Sequence, residues 1–138
     1  MDKALNYLAI ARKAHLIEAG EEPVGAAARA LHARLIVVAS DASDHTWRRA
    51  KSFAAGTSQQ TIRVPFTKAE LGFAVGRQEL AIAAFTNAAL AVSFVKALPE
   101  PEKHKAVLEA LEVKAARQRQ RQKEAKAHER NVRVGKKK

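Results

Sequence analysis

Between residues 1 and 98 the apolar positions switch repeatedly between helical spacing and short continuous runs. That pattern predicts helices alternating with buried strands, in the order α-β-α-β-α-β-α-β-α. A first helix carries Ala4, Leu5, Leu8 and Ala11 on one stripe. A second opens at Glu21-Glu22-Pro23, where acids suit the positive end of the helix dipole and a proline near the first position removes an N–H that has no helical acceptor. Leu35-Ile36-Val37-Val38-Ala39 is too continuous to be one-sided and predicts a central strand covered on both faces. A third helix opens at Asp41-Ala42-Ser43-Asp44, with Trp47, Ala50 and Ala54 as its apolar stripe. Ile62 to Val64 and Ala81 to Phe85 supply further strands. Between them Thr67-Lys68-Ala69-Glu70 has the spacing of a capping box that opens a helix running through Val75. Asn87 caps a last helix whose core face is Leu90, Phe94 and Leu98. Such alternation predicts an α/β fold, a three-layer α/β/α sandwich.

Pro99-Glu100-Pro101 interrupts the pattern, since proline cannot continue a helix and biases its predecessor toward extended geometry. The expected organisation is a domain of residues 1–98, able to fold alone, and a basic C-terminal helix or tail of residues 99–138. In the tail Val107, Leu108, Leu111 and Ala115 form a stripe that suits packing on the body or on a second copy. After Ala116 the stripe ends. Residues 117–138 hold ten basic and two acidic side chains, with like charges at Arg117 and Arg121 and another on the opposite side at Arg119. A segment charged all round is expected to fray or be disordered alone and to order on a polyanion; simple solubilisation is the plainer role.

Charge strengthens that reading. The 138 residues carry 25 Lys and Arg against 14 Asp and Glu, a formal net charge of +11 and a pI near 10.4, which favours polyanionic partners. Residues 1–98 hold 12 basic and 8 acidic side chains, the remainder 13 and 6. With no cysteine, disulfide scaffolds, zinc ribbons, thiolate catalysis and iron-sulfur chemistry are excluded, and a cytoplasmic setting is expected. Asp2, Arg12 and Lys13 do not fit a signal peptide, and the uncharged run Leu80 to Val95 is too short and polar for a membrane helix.

Catalytic chemistry finds little to stand on. The glycines form neither GxGxxG nor a Walker loop, for the segment from Gly20 to Gly25 lacks the lysine and hydroxyl that hold phosphate and magnesium. Asp41, Asp44 and His45 fit a helix cap better than a metal site, and His15, His32, His104 and His128 have no partners at ligand spacing. Ser40 and Ser43 lack a nucleophile-elbow context. No cofactor and no enzymatic activity are expected. Arg48 and Arg49, placed in the first turn of the third helix, oppose its dipole; they either form a solvated face or meet phosphate.

The ordered set Gly20-Glu21-Glu22, Ala33-Arg34-Leu35-Ile36, Ala39-Ser40-Asp41-Ala42-Ser43, Val64-Pro65, Glu70-Leu71-Gly72 with Ala74 and Gly76, and Phe85-Thr86-Asn87 resembles the L-seven-Ae / L-thirty-e ribosomal protein family, in its small bacterial YlxQ-like branch. The likeness spans residues 4–98. It implies an α/β/α sandwich and a non-catalytic RNA-binding protein, with ribosomal or other structured RNA as partner, association with the ribosome, and the bent kink-turn as archetypal ligand. The family presents G-x-N-E-x-x-K at the mouth of its second helix, backed by the loop after the last strand. Gly20 matches, while Glu22, Pro23 and Ala26 stand where asparagine, glutamate and lysine belong. The loop maps to Thr86, Asn87 and Ala88.

Proline offers no donor and alanine no charge, so these departures put strict kink-turn reading in doubt. Arg29 shares a helix face with Glu22 and Ala26, where it either compensates for the missing lysine or merely solvates. The resemblance thus implies a shape-reading surface of Gly20, Glu22, Arg29, Thr86 and Asn87. Arg34, Arg48 and Arg49 would be flanking phosphate contacts, and Arg117, Arg119, Arg121, Lys123, Lys126 and Arg130 a nonspecific clamp. The alternative is a protein-interaction module of the same fold that has lost specific RNA recognition and docks a partner through residues 101–116.

Overall fold

The computed structural model describes residues 2–135, with side chains up to 129. Its elements are α1 (Lys3–Lys13), β1 (Ile17–Ala19), α2 (Glu21–Arg29), β2 (Leu35–Val38), α3 (Asp44–Ala54), β3 (Gln60–Arg63), α4 (Lys68–Ala74), β4 (Ile82–Phe85) and α5 (Ala88–Lys96). A 3-10 turn at Pro101–His104 then leads into α6 (Lys105–Gly135). The expected alternation holds through α5. The strand that the apolar pattern does not locate is β1, a three-residue edge strand with an exposed Glu18 at its centre.

Caps decide where the helices begin. Thr67 and Glu70 form the expected reciprocal box at α4, and the Asn87 side chain accepts from the Leu90 N–H at 2.9 Å. Ser43 caps α3, so that Asp44 is its first residue. Asp41 lies outside that helix; its carboxylate accepts the Lys68 N–H at 2.8 Å and ties the turn after β2 to the start of α4. Arg48 and Arg49 consequently fall in the second turn of α3, where opposition to the dipole is weaker than the expected first-turn placement implied.

The sheet has the order β1-β4-β2-β3, with β2 parallel to β3 and β4 antiparallel to both its neighbours. Every residue of β2 and β4 is buried, as expected for strands covered on both faces. Alternation divides them: Leu35, Val37, Ala83 and Phe85 pack with α1, α4 and α5, while Ile36, Val38, Ile82 and Ala84 pack with α2 and α3. The Phe85 ring sits 5.1 Å from that of Phe94, centroid to centroid. This is the three-layer α/β/α sandwich, with α6 packed beside α5 and against β3.

The hydrophobic core continues past Pro99. Leu111 is fully buried in the same cluster as Phe94 and Val95, with Val107 and Leu108 partly covered against it, and Ala115 is nearly buried. The expected stripe therefore lies against the body. Of the two forms expected for the tail, helix or disordered arm, the structure has the helix beyond Ala116, with α6 continuing to Gly135. Its Arg, Gln, Lys, Glu and Ala residues are all strong helix formers, and the docked first half supplies the nucleus that a free peptide must form at a loss. Gln120 donates to Glu124 one turn on at 3.1 Å. Gln118 accepts the Ala88 N–H at 2.8 Å and pins α6 to the start of α5.

Two truncations test this division. A chain ending at Gln122 retains Leu111, Ala115 and Gln118 and is expected to melt like the full chain. One ending at Leu98 holds every strand and should still melt cooperatively, at a distinctly lower temperature. Leu111→Ala isolates the contribution of α6 and should remove about 2–5 kcal/mol in urea unfolding followed by circular dichroism. Equal stability of all four chains would place α6 outside the cooperative unit.

Candidate nucleic-acid interface

Gly20 joins β1 to α2. Its N–H donates to the Ile82 carbonyl at 3.0 Å and its own carbonyl accepts from Val24 at 3.0 Å, so it closes the sheet and opens the helix at once. It does so with φ 101° and ψ 160°, a backbone region essentially confined to glycine. A Cβ placed there would meet only Arg77 Nη1 at 3.6 Å and Pro23 Cδ at 3.7 Å. Space is therefore adequate, and conformation is what demands glycine. Because Pro23 is the third residue of α2 and lacks an N–H, the amides left free at this end are those of Glu21 and Glu22.

Two arginines that the sequence reading did not single out flank this end. Arg77 reaches Gly20, and the Arg12 guanidinium lies against Gly76. Together with His15, Glu18 and Pro23 they line an open pocket of about 400 Å³. Neither arginine has an ion-pair partner among the described residues, although Glu18 contributes one exposed carboxylate to the rim. Arg77 is held there by the packing of α4: a Cβ on Gly72 would come within 2.8 Å of the Glu79 backbone, so only glycine lets residues 77–79 cross the helix so closely. The run Gly72…Gly76-Arg77 was the available signal. It could be read only by knowing that β4 returns beside β1.

The structure separates the remaining expected residues. Thr86 and Asn87 stand at the opposite end of β4 from Gly20, since Thr86 donates to Leu16 while Ile82 accepts from Gly20. Four residues of strand span about 13 Å, so the loop Thr86 to Ala88 does not back α2. The antiparallel direction of β4 against β1 is the reason. Asn87 is occupied as the cap of α5.

Glu22 and Arg29 are exposed on α2, as is Ala26. Arg29 folds back by one turn, its Nη1 about 3.4 Å from the position a Cβ on Gly25 would take. Arg49 is engaged: it pairs with Glu21 and lies over the Phe53 ring at 5.3 Å, whereas Arg48 is exposed without a carboxylate partner among the described residues. Lys51 and Arg63 both stack on Trp47, at 5.3 and 5.0 Å.

Arg34, at the mouth of β2, belongs to the Thr86 end: its N–H donates to the Phe85 carbonyl at 2.8 Å. There it meets α6, and an open pocket is lined by Arg34, Lys114 and Arg121. Arg119 instead faces a groove shared with α5. Lys123 and Lys126 are exposed, and the Arg130 side chain lies outside the described residues. No helix among the described residues is long and apolar enough to cross a membrane.

No family model matches this chain, and no curated protein does. Among solved structures it is similar to a protein of unknown function from Bacillus halodurans C, with 24% identity and a TM-score of 0.65 over 70% of this chain and 97% of that one. It is also similar to the Giardia lamblia 15.5kD RNA binding protein, with 17% identity and a TM-score of 0.60 over 76% and 87%. At these identities the likeness is one of fold.

Gly20→Ala should lower stability by about 1–3 kcal/mol through backbone strain alone, read as a shift in the urea midpoint with unchanged slope. No loss would mean that α2 can begin with an ordinary residue at this position.

Proposed function

We propose that this chain is a non-catalytic, cytoplasmic RNA-binding protein of the L-seven-Ae / L-thirty-e type, associated with ribosomal or other structured RNA. The observation that carries the reading is the α2 mouth, where Arg12 and Arg77 stand unpaired beside free helix amides. Backbone N–H groups at a helix N-terminus and guanidinium forks are both suited to phosphate oxygens. The fold shared with a protein described as RNA-binding agrees with it, as does the net charge of +11.

Recognition at that mouth differs from the family pattern. Glu22, Pro23 and Ala26 supply neither the side-chain amide, the acceptor nor the cation of the motif, so Arg77, Arg12 and the folded-back Arg29 take over phosphate contact, and affinity rests on backbone more than on base edges. Arg48 adds a flanking contact. The alternative, a protein-interaction module that docks a partner through residues 101–116, draws less support, since Leu111 of that segment is buried in the core of this chain itself.

Fluorescence anisotropy with single-stranded and kink-turn RNA provides the test. If five to eight basic groups of α6 meet phosphates, log K should fall against log salt with a slope of roughly −4 to −6 on single strands. Deleting residues 117–138 should flatten it. In that shortened chain Arg12→Gln with Arg77→Gln should weaken binding about tenfold. Glu22→Asn, Pro23→Glu and Ala26→Lys together should strengthen kink-turn binding, each restored contact being worth about 1–2 kcal/mol without strict additivity. Indifference of the shortened chain to both sets of changes would remove the α2 mouth from any role in RNA binding.

A further inference from the structure

The other end of the sheet carries a denser concentration of positive charge. Arg34, Lys114 and Arg121 line one pocket of about 470 Å³, with His32 and the exposed Leu31 on its rim, and no carboxylate lines it. This volume lies in the range of small-molecule sites. The walls come from three separate stretches of chain, the turn after α2, the turn before β3, and α6.

Those walls are fixed before any ligand arrives. Gln59, itself 8% exposed, accepts the Ala33 N–H at 2.9 Å and donates to the Ala28 carbonyl at 3.2 Å, joining the two turns. Leu31 occupies the left-handed region at φ 61°, an uncommon place for a leucine, and closes α2 through a 2.8 Å bond from His32 to Ala27. Gln118, bound to the Ala88 N–H, sets the rotation of α6 so that Lys114 and Arg121 face the turns. Cations on a long helix are thus delivered to a prepared wall.

The charges are also uncompensated. Arg34 Nε is buried without a hydrogen-bond partner, its Nη1 making only a long 3.4 Å contact to the Leu31 carbonyl. Burial, then the proximity of Arg34, Arg117 and Arg121, holds Lys114 below the usual lysine value. Like charges gathered in a partly desolvated pocket raise the energy of the free protein, and an anion placed between them relieves the repulsion.

We propose that the pocket bounded by Arg34, Lys114 and Arg121 is a phosphate-binding site, filled by the backbone of an RNA strand or by the phosphates of a free nucleotide. Its chemistry is that of oxygen anions held by a guanidinium fork at the base and an ammonium at the rim. The Leu31 and His32 side chains offer a surface for the attached nucleoside. The site stands about one strand length from the α2 mouth, and does not depend on recognition there.

Inorganic pyrophosphate, titrated calorimetrically into the full chain, is the direct probe. Wild type should bind it, and Lys114→Gln with Arg121→Gln should weaken binding at least tenfold, as should Arg34→Gln. The helix-borne pair removes repulsion and should leave the melting temperature unchanged or raised, which keeps the test sound if Arg34→Gln fails to fold. Repeated in Arg12→Gln with Arg77→Gln, which silences the α2 mouth, the titration should show the same loss on changing the α6 pair. Lys3→Gln with Lys51→Gln, exposed residues outside both sites, is the charge control and should bind pyrophosphate normally. Displacement of pyrophosphate by single-stranded RNA, with a salt slope flattened by about one to two in the α6 pair, identifies the strand as occupant. Displacement by nucleoside diphosphate alone identifies a free nucleotide. Absence of pyrophosphate binding, or equal binding by wild type and the α6 pair, overturns the proposal.

Discussion

The antiparallel seating of β4 between β1 and β2 is the constraint on which the molecule turns. Its four residues are all buried and alternate between two cores, Ala83 and Phe85 toward α1 and α5, Ile82 and Ala84 toward α2 and α3. A slip of one residue would exchange the faces, pressing Phe85 into the side shaped for alanine. Small residues at Ala83 and Ala84 let helices close from both sides, and Phe85 against Phe94 fills the space that remains. The same register brings Ile82 to Gly20 and Thr86 to Leu16. It therefore decides which loops share an end of the sheet, and so which cations can act together.

Local features were legible from residue order because their causes are local. The capping box at Thr67, the cap at Asn87, the stripe of α1 and the double-sided burial of β2 each depend on residues a few positions apart. β1 was not, since Ile17-Glu18-Ala19 is half exposed and owes its extended form to the neighbour it pairs with. The same reason separates the expected surface: Gly20 and Thr86 look like partners in a list of motifs, but strand direction is a long-range property. Arg12 and Arg77 were invisible for that reason, 65 positions apart in the chain and brought to one site by β4. The choice between helix and disordered tail for α6 was open for a different reason. An all-round charge pattern rightly says that no face is buried, and says nothing about a helix nucleated by Leu111 and Ala115 farther up.

Charge distribution follows from this geometry. A disordered basic arm would meet a polyanion at any point and lose conformational freedom on doing so. Here Arg117, Arg119 and Arg121 of α6 are already held at helical spacing, and two of the pocket's cations are fastened to the sheet end by Leu111 and Gln118. Their mutual repulsion is tolerable because apolar burial of the preceding turns holds the helix in place. Ordering that a flexible arm would undergo at binding has been completed on folding, which favours affinity per contact at the expense of adaptability.

The α2 mouth shows the opposite compromise. Glu21 and Glu22 stabilise the start of the helix by complementing its dipole, and Glu21 also anchors α3 through Arg49. Both acids work against a phosphate at the same place, and Pro23 removes one of the amides that would hold it. Whatever anion approaches this end must be drawn chiefly by side chains that come from elsewhere, from α1 and from the turn after α4. The two ends of β4 thus differ in charge: one is shaped by a glycine and carries Glu18, Glu21 and Glu22 beside its arginines, and the other gathers cations with no acid lining the pocket between them. A ligand long enough to span about 13 Å would experience both, and its affinity would depend on the distance between them as much as on either alone.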